Sequence, residues 1–261
     1  MTLHIVTFTR STPDTAAKVE VDGSGNVVWD AANVVNPWDE YALEEAIVQA
    51  KNTGGKATVI AVGDDSHEEA LKHSLAMGLN EAIRVTEESA NMGDSLIWST
   101  LAAGAVQKLG DVQLAIFGKE AIDTQTDQHI YQTARKLGWT VLSFVSKILE
   151  LDADAGTIKV ERAVEHGKQT VTAKLPVVIS VVKGINEPRY PSFIGIRKAS
   201  KATIPVWGAS DLGIELPQAP TEVLSYENPP ARDITTEIIE GATIEEKATK
   251  LVDKLLEEKV L

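Results

Sequence analysis

Short apolar runs alternate with amphipathic stretches through the first half of the chain. The runs occupy residues 3–8, 57–62, 81–85 and 112–117. Each run has the length of a buried strand, and the stretches between them show the apolar spacing of helices. Strands that alternate with helices form parallel βαβ units, with helices on both faces of the sheet. The pattern therefore predicts an α/β fold with a Rossmann-like, doubly wound and mostly parallel sheet.

The predicted helices have recognisable starts. Asn36 precedes Pro37, a residue that suits the first turn of a helix. The apolar stripe of this helix comprises Ala42, Leu43, Ala46, Ile47 and Ala50. Ser66 and Glu69 have the spacing of a capping box at the start of the next helix. A further helix is predicted after Asp123.

The pattern changes in the second half of the chain. Residues 146–164 and 166–184 predict hairpins closed by turn residues. We therefore expect an antiparallel hairpin region to join the sheet, before the run at 176–182 returns to its centre. Residues 210–233 are rich in Pro and lack periodicity, which is typical of a linking arm.

The chain ends in a predicted amphipathic helix. Thr243 and Glu246 have capping-box spacing at its start. Its apolar face comprises Ala248, Leu251, Val252 and Leu255. This apolar face must pack against another surface, and the sequence leaves open whether that surface belongs to the chain's own domain or to another subunit. The sequence thus predicts an α/β domain over residues 1–209 and a C-terminal arm with a helix over residues 210–261.

Composition and charge limit the chemistry. Apolar residues make up 43% of the chain, enough for a core, and cysteine is absent. Thiolate metal sites and thiol redox chemistry are therefore excluded, and any redox role needs a bound cofactor. The formal charge of -13 argues against nucleic-acid binding. The sequence contains no run long enough to span a membrane, and a strand predicted from residue 3 argues against a signal peptide, so we expect a cytoplasmic protein.

Three loops follow predicted strands, where ligands of open parallel sheets bind. They come after Phe8, at residues 63–64 and at residues 118–128. In the third loop, small residues precede a predicted helix, so backbone N–H groups and the helix dipole suit a phosphate group. A plain connection with Asp123 or Thr124 as the helix cap explains the same residues. The sequence has neither GxGxxG nor GxxxxGK[ST], so no dinucleotide fingerprint or Walker loop is indicated.

Other polar residues have both a functional and an ordinary explanation. Asn36 and Trp38 could line an adenine site, or they could cap the helix and pack against it. The five histidines lack the spacing of metal ligands, and His67 and His73 lie on a helix predicted to be exposed. No Ser, His and acid grouping is evident from the sequence.

The most unusual stretch covers residues 186–205. This part of an acidic chain carries four basic residues against a single acidic one, Glu187; the basic residues are Arg189, Arg197, Lys198 and Lys201. Tyr190, Phe193 and Ile194 lie between them. Aromatic and aliphatic side chains flanked by cations suit a docking surface for an acidic partner. A solvated loop with a short helix is the alternative.

Together these stretches resemble the β subunit of electron transfer flavoprotein. Four segments carry the resemblance, in the family's order: NPWDEYALEEA, GKEAID with TQTDQ, VERAVEHGKQTVTAKLPVVISV, and INEPRYPSFIGIRKASK. The resemblance covers essentially residues 3–261. It implies an electron carrier that is not itself an enzyme, in a heterodimer whose α subunit provides most of the contacts to FAD. It also implies electron donors of the acyl-CoA dehydrogenase type and transfer to a quinone oxidoreductase.

The resemblance implies two sites and no metal. In most of the family the β subunit binds one AMP. The residues of this chain that match the AMP site are Phe8, Asn36, Pro37, Trp38, Asp39, Asp64, Gly118, Lys119, Glu120, Ala121, Ile122, Asp123, Thr124, Gln125, Thr126, Asp127, Gln128 and His129. Those that match the docking segment for dehydrogenases are Glu187, Pro188, Arg189, Tyr190, Phe193, Ile194, Arg197, Lys198 and Lys201. Phe193 stands at the family's apolar anchor position, and aromatic side chains are common hot spots.

Some positions depart from the family and leave alternatives. One branch binds a second FAD in place of AMP and bifurcates electrons from NADH; here the bulky Ile130 and Tyr131 favour AMP. Asp127 stands where Asn is common, and Thr15 where some members have a Tyr near the flavin. From a different class, the fold suits an adenine-nucleotide hydrolase or a stress-type ATP-binding module. Against the hydrolase, the turn at residues 118–128 of this chain has no phosphate-binding cation beyond Lys119. Against the stress-type module, such a protein would not need the basic stretch.

Overall fold

The computed structural model describes residues 2–230 and 236–260. The chain divides into two compact units, Met1–Tyr226 and Glu227–Leu261. The first unit contains the main sheet, and the second contains one described helix, α7 (Ile244–Glu257). The functional division that the sequence predicts at residue 210 concerns packing on a partner, so it stays a prediction.

One large sheet organises the first unit. Within its described residues the sheet has nine strands, which lie from edge to edge in the order β11 (Gly167–Lys174), β10 (Thr157–Val164), β9 (Thr140–Asp152), β12 (Val177–Val181), β8 (Val112–Gly118), β1 (His4–Phe8), β6 (Lys56–Val62), β7 (Glu81–Val85) and β13 (Val206–Trp207). Two small antiparallel ribbons pair β2 (Ser11–Pro13) with β5 (Asn33–Val35) and β3 (Val19–Val21) with β4 (Val27–Trp29).

Strand directions confirm the predicted fold class. Every neighbouring pair from β9 across to β13 is parallel. β10 pairs antiparallel with both β9 and β11, which forms the expected hairpin region. β12 lies between β9 and β8, so the last long apolar run does return to the interior of the sheet.

Helices cover both faces of the sheet. α1 (Pro37–Asn52) and α2 (Glu68–Met77) pack on one face, and α3 (Ser95–Leu109) and α4 (Gln128–Leu137) pack on the other. Two short helices follow, α5 (Phe193–Ala199) and α6 (Ala209–Leu212). All five residues of the predicted α1 stripe are buried, and a fully buried side chain such as Leu43 stabilises the fold by about 1.5–3 kcal/mol.

Two helix starts differ from the sequence predictions. α4 begins at Gln128, well beyond Asp123, because the preceding turn is closed on itself: the Ala121 N–H donates to the Thr126 carbonyl at 2.9 Å. Ser66 does not cap α2. The Asp64 carboxylate instead accepts from the Ser66 N–H at 3.1 Å and caps a 3-10 turn over Asp65–His67, after which α2 begins.

The second unit has the predicted terminal helix. The Thr243 hydroxyl accepts from the Glu246 N–H at 3.1 Å, so the predicted cap of α7 is present. Apolar side chains of α7 that are exposed include Ile244, Leu251, Val252 and Leu256. Across the described ranges of both units, no helix combines the length and the hydrophobicity needed to cross a membrane.

Candidate functional site

The strands β1, β6 and β8 end side by side, and the loops that follow them enclose a cleft of about 360 Å³. We call it the switch-point cleft, because the strand order reverses here: β6 and β7 lie on one side of β1, and β8 and β12 on the other. Ligands of open α/β sheets bind at such a point. Residues that line the cleft include Arg10, Gly63, Asp64, Ser66, His67, Ser95, Trp98, Thr124, Thr126 and His129.

An aromatic cluster lies at one side of the cleft, where Trp98 and His129 line it and Phe8 and Phe117 are buried behind them. The rings of Phe8 and Phe117 stack with centroids 4.3 Å apart, and Phe8 lies 5.6 Å from Trp98. The edge-on contact between Trp98 and His129 has a centroid distance of 4.7 Å. The Trp98 indole N–H donates to the Val62 carbonyl at 3.1 Å, which fixes the ring. These contacts place flat apolar surface at the cleft, as a purine base requires.

Asn36 clamps the turn that follows β8. Its Nδ2 donates to the Glu120 carbonyl at 2.9 Å, and its Oδ1 accepts from the Ile122 N–H at 3.1 Å. The side chain makes no capping hydrogen bond to α1 and is buried. The sequence suggested an adenine contact or a helix cap; the structure shows that this amide joins the start of α1 to the turn.

Gly118 allows the turn to lie against α1. A Cβ atom at this position would lie 2.5 Å from Asp39 Oδ1 and 2.6 Å from the Trp38 carbonyl carbon, so no larger residue fits without a shift. Asp39 is buried beside it, and burial raises the pKa of Asp39 to about 8. The carboxyl is therefore protonated at neutral pH and adds no negative charge behind the cleft.

The N-terminus of α4 faces the same cleft through His129. Asp127 occupies its N-cap position without a side-chain capping bond, whereas Asp94 caps α3 by accepting from the N–H groups of Leu96 and Ile97 at 2.8 and 3.2 Å. The Ile130 N–H donates to the Asp127 carbonyl at 3.0 Å. The other first-turn N–H groups need acceptors, and an anion is one that suits the helix dipole. This geometry fits the phosphate position predicted from the sequence.

Two charged side chains line the cleft among the described residues, Asp64 and Arg10. Arg10 Nη2 donates to Asp123 Oδ2 at 2.9 Å. His67 and His129 are half-buried; burial, together with the Arg10 charge, lowers the pKa of each to about 4, so both imidazoles are neutral at pH 7. The prediction that His67 and His73 lie on an exposed helix is wrong, because both side chains are half-buried.

Thirteen of the eighteen predicted nucleotide residues fall into three groups. Asp64, Thr124, Thr126 and His129 line the switch-point cleft. Residues that lie behind it and shape it are Phe8, Asn36, Asp39, Gly118, Glu120, Ala121 and Ile122. Trp38 and Lys119 instead line a separate open cleft of about 560 Å³, where the Lys119 ammonium lies 4.9 Å from the Trp38 ring centroid. The other five are Pro37 at the start of α1, Asp123 and Gln125 in the turn after β8, and Asp127 and Gln128 at the start of α4.

Nine lining residues were not among the predicted site residues: Arg10, Val62, Gly63, Ser66, His67, Met92, Gly93, Ser95 and Trp98. The sequence contains a signal that could have identified Arg10 and His67, since each follows the end of a strand within a few residues. No such signal identifies Trp98, because it lies inside α3 and reaches the cleft only through helix packing.

Comparisons with known proteins agree with this architecture. The model of the electron transfer flavoprotein domain matches residues 25–212. The electron transfer flavoprotein subunit beta of Clostridium acetobutylicum is 33% identical, with 98% of this chain and 99% of that protein covered. The chain belongs to the electron transfer flavoprotein family. Like its β-type relatives, it is an electron-carrier subunit.

Two further relatives of this electron transfer flavoprotein chain have related names. The caffeyl-CoA reductase-Etf complex subunit CarD of Acetobacterium woodii is 32% identical over 99% of this chain and 100% of that protein. Protein FixA of Bradyrhizobium diazoefficiens is 30% identical over 97% of this chain and 91% of that protein.

Residues 186–201 form the second feature of this electron transfer flavoprotein chain; they are called the docking segment because the sequence predicts that dehydrogenases dock there. It is tied to α1 at two points: Asn186 Nδ2 donates to Glu45 Oε2 at 2.9 Å, and Arg189 pairs with Glu44. Its apolar side chains point outward, with Tyr190 95%, Phe193 94% and Ile194 76% exposed. The segment therefore has a fixed base and an unpacked apolar surface.

Helix α5 of the docking segment lies directly on α2. A Cβ at Gly195 would lie 2.3 Å from the Ala76 carbonyl oxygen, so the absence of a side chain allows this approach. The Ser192 hydroxyl caps α5 by accepting from the Gly195 N–H at 3.0 Å. Arg197, Lys198 and Lys201 are exposed on this surface.

A His, acid and hydroxyl grouping does form at the opposite end of the sheet. His4 Nδ1 lies 2.6 Å from Asp111 Oδ1, and His4 Nε2 lies 2.8 Å from Thr58 Oγ1. Thr58 is fully buried, so no substrate can reach its hydroxyl, and the grouping links β1, β6 and the residue that precedes β8. Among the described residues, no group of three or more His, Asp or Glu side chains could hold a metal ion.

Proposed function

We propose that this chain is the β subunit of a heterodimeric electron transfer flavoprotein that accepts electrons from acyl-CoA and related dehydrogenases and passes them toward a quinone oxidoreductase. The α subunit carries most of the FAD contacts. The observation that carries the proposal is the docking segment, whose base is fixed on α1 and α2 while its apolar side chains are exposed. A relative named as a subunit of a caffeyl-CoA reductase-Etf complex supports an oxidoreductase that acts on CoA esters as a redox partner.

The docking segment contacts the donor through an apolar centre and a basic rim. Tyr190, Phe193 and Ile194 form the centre, and Arg197, Lys198 and Lys201 supply the rim. This composition matches interfaces in which aromatic hot spots supply affinity and charges speed the encounter. Glu187 and Pro188 lie near the start of the segment, and Arg189 holds it against α1.

We propose AMP as the ligand of the switch-point cleft. A volume of about 360 Å³ lies at the small end of ligand sites, which suits a mononucleotide. The aromatic side receives the base, and the uncapped start of α4 receives the phosphate. Crowding by Ile130 and Tyr131 does not contribute: Ile130 is fully buried in the core, and neither residue lines the cleft.

Nucleotide content tests the AMP proposal. The purified heterodimer is denatured, and the released ligands are quantified by mass spectrometry. We expect one AMP and one FAD per heterodimer. Recovery of two FAD, with reduction by NADH, would support the electron-bifurcating alternative instead. A heterodimer that releases one FAD and no AMP would contradict both assignments of the cleft.

The C-terminal arm completes the proposal. The apolar face of α7 (Ala248, Leu251, Val252 and Leu255) includes exposed Leu251 and Val252. We propose that this face packs on the α subunit. Membership of the electron transfer flavoprotein family leaves the hydrolase and stress-module alternatives without support.

A further inference from the structure

We propose that Arg10 is the phosphate-binding cation of the switch-point cleft, and that Asp123 holds its guanidinium in position until a phosphate monoester takes the place of this carboxylate. The inference rests on the proposed nucleotide site. Arg10 lies outside the set of residues that the family resemblance assigns to that site.

The hydrogen bonding of Arg10 points to a further acceptor. Its Nη2 donates to Asp123 Oδ2 at 2.9 Å, but its Nε is buried and has no hydrogen-bond partner within the described residues. A buried donor of a charged group is costly to leave unpaired. Nε and Nη2 together form the edge of the guanidinium that binds two oxygens of a carboxylate or phosphate. Only one of these two positions is filled by Asp123.

The charge balance of the cleft singles out the same residue. Of the described residues that line it, Arg10 is the one Lys or Arg, and Asp64 is the one Asp or Glu. A phosphate monoester carries about -1.5 to -2 charges at pH 7, and this chain has a formal charge of -13, so the ligand needs a local cation. Lys119, the cation within the turn itself, lies against Trp38 in the other cleft.

His67 provides a second donor beside Arg10. Its Nδ1 accepts from the Ser11 N–H at 3.2 Å, so a neutral imidazole carries its proton on Nε2. The ring lies close to the chain at Gly63, where a Cβ would be 2.4 Å from Nε2, so a glycine is required there. His67 thus offers an uncharged N–H to the same anion.

Exchange of labelled AMP tests this assignment in the purified heterodimer. Bound nucleotide is chased with isotope-labelled AMP in the wild type and in the Arg10→Gln, Arg10→Lys and Asp123→Asn variants. A lost charge-assisted hydrogen bond should speed AMP release about tenfold to a hundredfold in Arg10→Gln. Arg10→Lys should lie between this variant and the wild type. Asp123→Asn should release AMP no faster than the wild type.

Adenosine, which lacks the phosphate, is the discriminating competitor. Arg10→Gln should lower the preference for AMP over adenosine and leave adenosine binding unchanged. Arg135→Gln, an exposed arginine on α4, is the matched control and should behave as wild type. An unchanged preference in Arg10→Gln and Arg10→Lys, with AMP present in the wild type, overturns this inference alone. Absence of AMP from the wild type overturns the proposed function and this inference with it.

Discussion

Arg189 and Glu44 form a bidentate ion pair that joins the docking segment to α1. Arg189 Nε lies 2.7 Å from Glu44 Oε2, and Arg189 Nη2 lies 2.7 Å from Glu44 Oε1. The Arg189 backbone N–H also donates to Glu44 Oε2, at 3.2 Å. Burial alone would raise the pKa of Glu44, but the hydrogen bonds and charge of Arg189 outweigh it and hold that pKa below its usual range. Glu44 therefore stays ionised and keeps Arg189 on α1.

The first prediction concerns this ion pair. Arg189→Met should weaken donor binding, because the docking segment loses its attachment and becomes less ordered, while the flavin spectrum stays unchanged. Glu44→Gln should have a similar effect. Donor affinity in the double variant should reveal a coupling of about 0.5–3 kcal/mol between the two positions. Strictly additive effects would instead mean that Arg189 acts by direct contact with the donor.

The second prediction concerns the close approach at Gly118. Gly118→Ala forces the turn away from Trp38 and Asp39, so thermal stability and bound AMP should both fall. Overpacking of this kind costs about 1–3 kcal/mol, which is equivalent to several degrees in Tm. Gly23→Ala is the matched control, since a Cβ there meets nothing within 4 Å. Equal Tm and AMP content in the two variants would contradict the role assigned to Gly118.

The third prediction concerns pH. Burial raises the pKa of Asp39 to about 8, so between about pH 4 and pH 8 the folded chain holds a proton that the unfolded chain releases. The free energy of unfolding should therefore fall as pH rises through this window, by at most about 1.4 kcal/mol per unit from this group. Asp39→Asn removes the contribution. The stability of Asp39→Asn relative to the wild type should therefore improve as pH rises from 5 to about 8. Parallel curves of Tm against pH for the two proteins would refute this.

The fourth prediction concerns the C-terminal arm. A chain truncated after Pro230 loses α7 and its exposed apolar side chains. Affinity for the α subunit should fall strongly, because the buried apolar area of the interface is reduced. The Tm of the separately purified truncated β chain should match that of the full-length β chain. Titration of the two β chains against the α subunit measures the difference, and an unchanged subunit affinity would remove α7 from the interface.

The sequence predicts the fold well because its signals are local. The α1 stripe and the Thr243 cap depend on residues within one helix or one turn, and both are confirmed. The place of the cleft also follows from the sequence, since parallel strands end at one edge. Arg10 and Asp123 are different: they meet across 113 positions of the chain, and no periodicity connects them. Only the packed structure shows that the arginine and the turn share one cleft.

Electron transfer from an acyl-CoA dehydrogenase tests the central claim most directly. Phe193 is 94% exposed in the docking segment, and Leu149 on β9, 43% exposed, is an apolar control outside it. Phe193→Ala should remove a hot-spot contact worth about 2 kcal/mol or more, which corresponds to roughly thirtyfold weaker donor binding. The flavin spectrum and its chemical reduction should not change, and Leu149→Ala should match the wild type. If Phe193→Ala accepts electrons with the wild-type rate and apparent affinity, the docking segment is not the donor site and the account is wrong.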